Sequence, residues 1–180
     1  MLKPNNQWTW FYDAEGQQLM LDLGADMMFK TAIPANRLIP DATRRIPFSV
    51  EDATLFQTYS DMVHHLPLTA PRRAELVLNA IAAHRYHKPM LPKSWFFTAC
   101  GDIDAPELGE VVVLETEHGQ GHFIVVENSG NASLVMSASL EPVSLDGNKM
   151  LNFCDTIKVM NDRMQIAYFD EMKHQYAKVS

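Results

Sequence analysis

Several things are scarce in this chain of 180 residues. There are two cysteines, Cys100 and Cys154, too few for a disulfide framework. Both lie in apolar neighbourhoods and read as buried thiols of a reducing compartment. Long apolar runs are absent; 111–114 is among the longest, whereas a membrane helix needs about 20 residues. No transmembrane span is expected. The start, MLKPNNQW, has no apolar stretch behind its lysine, so no secretory signal is expected and the cytoplasm is the expected location. Only eight glycines occur, and neither G-x-G-x-x-G nor G-x-x-x-x-G-K-[ST] is present. A phosphate-cradling loop is therefore not expected. Positive charge is scarce as well. Lys and Arg number 15 against 22 Asp and Glu, for a net charge of −7. That balance disfavours general nucleic-acid binding, which needs a cationic surface.

What is present suits a folded protein. Apolar residues make up 47% and charged residues 21%, which is normal for globular chains. The length allows one large domain or two small ones. Charge is uneven. Residues 1–90 carry nine bases and nine acids; residues 91–180 carry six and thirteen, and so hold the whole excess. Against that trend, 72–93 contains Arg72, Arg73, Arg85, Lys88 and Lys93 with Glu75 as its one acid. A solvated helix face is the plainer reading. A local basic patch on an acidic protein is the sharper one, and it suits a specific acidic partner.

The pattern predicts an α+β protein. Trp8, Trp10 and Tyr12 alternate with Thr9, Phe11 and Asp13, as in a strand. A turn with Gly16 at positive φ leads to strands at 18–23 and 27–31. Pro34, Pro40 and Pro47 make 32–48 a loop. Ser49 caps a helix at 51–65 that presents Leu55, Phe56, Tyr59, Met62 and Val63. Thr69 and Pro71 open a second helix at 70–86, rich in Ala and Leu. A stiff 88–94 linker follows, and the domain boundary is placed at about 90. Short strands are expected at 94–99, 110–116, 122–127, 132–138 and 155–160, separated by Gly- and Asn-containing turns. The tail from 170 is polar and expected to fray. The expectation is an N-terminal α/β domain at 1–90, a small antiparallel sheet covered by two helices. A C-terminal twisted, β-barrel-like domain at 91–180 would follow it.

Catalytic patterns are missing. The pairs His84/His87 and His118/His122 lack companions at metal-ligand spacing. Cys100, in TACGD, matches no nucleophile elbow. Asn131-Ala132-Ser133 matches a glycosylation sequon by chance, given the lack of a signal. The eleven methionines, including Met20, Met27 and Met28, read first as core filler and second as an adaptable binding surface. No metal or other cofactor is expected, and the chain leans towards a binding module rather than an enzyme.

Three stretches carry a resemblance: WTWFYD at 8–13 with MLDL at 20–23, AELVLNA at 74–80 running through RYHKP at 85–89 to PKSW at 92–95, and IKVMNDR at 157–163. Together they resemble the ZapC family of bacterial cell-division proteins. The resemblance is dense over 3–97 and returns at 157–163. It implies a non-enzymatic protein that binds FtsZ, the tubulin-like division GTPase, through FtsZ's globular core. It further implies bundling of FtsZ protofilaments, lowered GTPase turnover and recruitment to the Z-ring at mid-cell. A pocket on each domain is implied. Leu21 matches a position tied to bundling. Lys88 and Lys93 match the basic rim of an apolar C-domain pocket, with Arg85, Lys158 and Arg163 as additions. A monomer is expected, with a dimer as the alternative.

Two other classes compete. A small-molecule-binding protein or cryptic enzyme could use the barrel pocket, with His122 and Glu127 or Asp155 as its acid–base pair. His122 and Glu127 lie on opposite strand faces, which counts against it. A nucleic-acid-binding barrel could stack bases on Trp95 and Phe97. The −7 of that half disfavours it.

Overall fold

The computed structural model describes residues 2–101 and 105–167. The polar tail from 170 lies outside the described residues. The N-terminal half is a four-stranded antiparallel sheet with two helices. Strands β1 (Thr9–Asp13), β2 (Gln18–Asp22), β3 (Met28–Pro34) and the short β4 (Ile46–Pro47) lie in the order β3-β2-β1-β4. The expected three strands thus gain a fourth from the Pro-rich loop. Phe48 just beyond it donates its N–H to the Trp8 carbonyl at 2.9 Å. Within the β1–β2 turn it is Gln17, not Gly16, that takes positive φ (50°). Trp8 and Trp10 are buried with Phe48 between their rings, at 5.1 and 5.9 Å between centroids. Met27 and Met28 are exposed rather than core filler.

The two helices form where their caps predict. Helix α1 (Val50–Met62) starts at a full capping box, in which Ser49 and Asp52 each accept the other's backbone N–H. Helix α2 (Ala70–Tyr86) starts at Thr69 with Pro71 in its first turn. Every residue from Leu76 to Ala83 is buried. A helix that is apolar on all sides must be enclosed on all sides. One side faces the N-terminal sheet. The other faces a second sheet, and Ala80, Ala82 and Ala83 keep the approach close.

That second sheet contains β5 (Val111–Thr116), β6 (Gly119–Asn128), β7 (Ala132–Ser137), β10 (Thr156–Met160) and β11 (Gln165–Ile166). Its order is β10-β7-β6-β5-β11, antiparallel throughout. A two-stranded ribbon, β8 (Val143–Ser144) and β9 (Met150–Leu151), packs beside it. All six residues of β7 are buried, because both faces are covered. Leu134 and Met136 join the α2 core, whereas Val135 points to a second cluster with Val112, Phe123 and Val125.

Strands β10 and β11 are opposite edges of this sheet, yet only residues 161–164 join them. In a flat sheet the outer two of five strands lie about 19 Å apart. Five chain steps reach at most about 18 Å when fully extended. Here Asn161–Arg163 form a compact 3-10 turn, which shortens the reach further. The sheet therefore coils around its inner cluster. Its hydrogen-bond ladder does not close: among the described residues β10 and β11 do not pair. Where a barrel-like domain was expected, the described residues form a coiled, open antiparallel sheet and no closed barrel. The strand expected at 94–99 is instead a 3-10 turn, Ser94–Phe96, because Ser94 Oγ accepts the Met160 N–H and ties the segment across the end of β10.

Candidate basic cavity at the junction of the two halves

After α2 the chain leaves as an extended strap. Tyr86 and Lys88 hold the loop at 37–39: Ile39 N–H reaches the Tyr86 carbonyl and Lys88 N–H the Arg37 carbonyl, both at 2.8 Å. At its far end Lys93 N–H donates to the Lys158 carbonyl on β10, also at 2.8 Å. Pro89 and Pro92 stiffen the interval. Between the strap, the β8–β9 ribbon and β10 lies a cavity of about 290 Å³. Its floor is apolar and includes Phe96, Leu145, Leu151 and Ile157. Arg37, Lys93, Lys149 and Lys158 line it, and among the described residues no carboxylate does. Lys149 Nζ sits 5.9 Å from the centre of the Phe96 ring, a cation–π distance. The Lys158 side chain is only 11% exposed, and its nearest acid, Glu127, is 3.9 Å away outside the lining.

His87 ties this site together from below. Its Nδ1 donates to the Lys88 carbonyl at 2.7 Å, and Nε2 meets Thr156 Oγ1 at 2.9 Å. A carbonyl can only accept, so Nδ1 carries the proton of the neutral ring and Nε2 accepts from the threonine. Arg37 Nη1 donates to the carbonyl of the same Thr156 at 3.3 Å. Burial pushes the His87 pKa down, and the neighbouring Arg37 and Lys88 charges push the same way.

Of the residues predicted from sequence, Lys93 and Lys158 line the cavity. Lys88 is exposed beside it, joined to Arg37 through the backbone. Arg85 does not line it. Its guanidinium faces the start of α1, 3.0 Å from both Asp52 Oδ1 and Ser49 Oγ. Arg163 pairs with Asp162 at 2.7 Å and reaches the Ser94 carbonyl at 3.4 Å. Leu21 is fully buried in the N-terminal sheet opposite Trp10. Arg37 and Lys149 were not anticipated. Lys149 had a legible signal, since bases are rare in the acidic half: of the four between 91 and 167, three line the cavity. Arg37 had none, lying 119 residues from the Thr156 it binds.

Elsewhere, an apolar groove of about 530 Å³ runs between α1 and α2, lined by Phe56, Ala74 and Val77 with His64 at its side. Leu21 does not line it. Among the described residues no three His, Cys, Asp or Glu gather as a metal site. His84 is engaged with the Val126 carbonyl at 2.7 Å. Cys154 is buried as expected and burial raises its pKa, whereas Cys100 is only half-buried, with Sγ near the Thr98 and Arg163 carbonyls. No helix among the described residues is long and apolar enough to cross a membrane.

The chain is thus an α+β protein with a basic cavity over an apolar floor at the junction of its two halves. Comparison with known proteins gives it a family. Residues 1–88 match the family described as "Cell-division protein ZapC, N-terminal", and residues 89–168 match "Cell-division protein ZapC, C-terminal". Cell division protein ZapC of Photobacterium profundum is 53% identical over 164 residues, covering 91% of this chain and 92% of its own. ZapC of Vibrio cholerae is 45% identical, with 91% of each chain covered. That of Vibrio vulnificus is 44% identical, with 93% of each covered. The chain belongs to the ZapC family of cell-division proteins.

Proposed function

We propose that this chain works without enzymatic activity of its own, by binding polymerised FtsZ directly at mid-cell. It would bundle the protofilaments in the Z-ring and lower their GTPase turnover. The observation that carries the reading is the cavity with four cations, an apolar floor and no carboxylate among the described residues, on a protein of net charge −7. Such a site repels the bulk of acidic proteins through the overall field and admits one that presents its acid at the right place. The apolar floor supplies most of the affinity, and the cations supply orientation and rate. The globular core of FtsZ is the target. Bundling needs two contacts per molecule or self-association. The groove between α1 and α2 is a candidate for the second contact.

Co-sedimentation tests this directly. The protein should pellet saturably with FtsZ polymerised by GTP, raise light scattering and slow phosphate release. It should release no phosphate from GTP alone. If it stays in the supernatant at all ratios, FtsZ binding is wrong.

A further inference from the structure

We propose that the docking surface continues past the basic cavity into a second compartment, and that the two together receive one extended segment of the partner. That segment carries carboxylates at one end, a bulky apolar side chain in the middle and a Lys or Arg at the other end. The inference rests on the FtsZ-binding reading and adds the polarity of what is bound.

The two compartments are adjoining, since Phe96 and Leu145 line both. The second holds about 560 Å³ and has an aromatic wall of Trp95 and Phe97. Trp95 is 70% exposed, although its ring lies only 5.5 Å from Phe96. On the basic side Leu91 is 84% exposed and Met150 is also open. Large apolar side chains this exposed, on both sides of one aromatic divider, form a continuous surface of the kind that marks protein contacts. Exposed tryptophan is the residue type most enriched among binding hot spots.

The charges sort by compartment. Arg37, Lys93, Lys149 and Lys158 line the first, without an acid among the described residues. Glu117 and Asp146 line the second together with His118, without Lys or Arg among the described residues. One turn makes the division. Asp146 Oδ1 accepts the N–H of Asn148 at 2.9 Å and of Lys149 at 2.7 Å, and Gly147 supplies the positive φ (90°) the turn requires. The turn thereby fixes Leu145 in the shared wall, Asp146 on the acidic side and Lys149 on the basic side. A uniformly acidic occupant would gain at one end and be repelled at the other. A bipolar segment is attracted at both, and a cationic group beside Trp95 gains the ring face as well.

Charge reversal at Glu117 separates the two cases by sign. Glu117 is exposed on the turn between β5 and β6, so Glu117→Lys should leave the melting temperature in place. If the partner segment is bipolar, Glu117→Lys weakens pelleting with polymerised FtsZ by about 5-fold or more. If the partner segment is acidic throughout, the added positive charge strengthens it. Trp95→Ala should weaken pelleting about 10-fold or more, and Trp95→Phe should recover part of the loss. Tighter pelleting of Glu117→Lys, or wild-type pelleting of Trp95→Ala, overturns the second compartment. The control for the underlying reading is Lys93→Asp in the first compartment. Loss there with Trp95 and Glu117 silent confines the site to the basic cavity, and failure of the wild-type protein to pellet removes the FtsZ reading itself.

Discussion

The indole N–H of Trp10 donates to Oδ2 of Asp52 across 3.1 Å, fastening the first sheet to the first turn of α1. Asp52 has no exposed surface. Its two oxygens also take the Ser49 N–H at 2.9 Å and the Arg85 guanidinium at 3.0 Å. A buried carboxylate is tolerated only with such a full set of donors. Arg85 in turn comes from the last turn of α2, so one carboxylate joins three elements.

Asp52→Ala should therefore destabilise the fold by about 3–5 kcal/mol in denaturant titration, because it strands the buried Trp10 indole, removes the acceptor of the Ser49 N–H and leaves Arg85 only Ser49 and the exposed Glu51. Arg85→Ala leaves Asp52 its indole and backbone donors and should cost less, about 1–3 kcal/mol. Below its melting temperature Arg85→Ala should pellet with FtsZ like the wild type. A specific loss of pelleting would return Arg85 to the docking surface.

The helices were legible because Ser49 and Thr69 mark their starts and apolar residues recur at helical spacing behind them. Strands β5, β6 and β7 were legible from their β-branched runs and intervening turns. Strands β4, β8, β9 and β11 have two residues each, too few to show a period. The segment 94–99 looked like a strand because Trp95, Phe96 and Phe97 favour sheets, but its geometry is set by the distant N–H of Met160. The burial of Asp52 was hidden for the same reason: its partner Trp10 lies 42 residues earlier. The cavity was half legible. Lys93 and Lys158 sit in stretches that resemble the family, whereas Arg37 reaches the site only through tertiary contacts with Lys88 and Thr156.

Leu21 offers no surface to a partner, so a change there acts through the sheet. Leu21→Ala removes a fully buried side chain packed beside Trp10 and should cost about 2–5 kcal/mol. Leu21→Met keeps most of the volume and should cost less than about 1.5 kcal/mol. FtsZ bundling, followed by light scattering at a temperature where both variants are folded, should track the change in melting temperature. Lost bundling in a Leu21→Met variant of wild-type stability would assign Leu21 a role beyond packing.

The cations of the cavity should differ in their effects. Lys93→Asp and Lys149→Asp each replace a lining cation by a carboxylate, and a partly desolvated interfacial charge is worth roughly 2–5 kcal/mol. Pelleting with FtsZ should weaken about 30-fold or more. Lys88→Asp lies beside the cavity rather than in its lining and should lose less. Lys30→Asp, on the exposed edge strand β3, carries the same charge change and should be nearly silent. Wild-type binding should fall with salt over the range in which exposed charges are screened, about 10 Å at 0.1 M. Equal pelleting by all four variants at unchanged melting temperature would exclude the cavity.

His87 gives the junction a pH dependence whose sign follows from its environment. Burial, with Arg37 and Lys88 nearby, holds its pKa below the ordinary 6.5; the Lys88 carbonyl and Glu127 oppose this without reversing it. The folded state therefore prefers the neutral ring, while the unfolded chain takes up a proton as pH falls through about 6.5. Over that window the unfolded state binds more protons, so stability is lost as pH drops and the loss ends below the folded pKa, where both states are protonated. One such group contributes at most about 1.4 kcal/mol per pH unit. His122 is shifted down by burial too and adds a slope of the same sign. His87→Gln cannot titrate, so its melting temperature should fall less steeply than the wild type's between pH 6.5 and 5. The double variant with His122→Gln should be shallower still. Thr156→Val removes the hydroxyl at 2.9 Å but keeps the titrating ring, so it should lower the melting temperature at pH 7.5 and retain the acid slope. An acid slope in His87→Gln as steep as in the wild type would show that the junction histidine is not the group responsible.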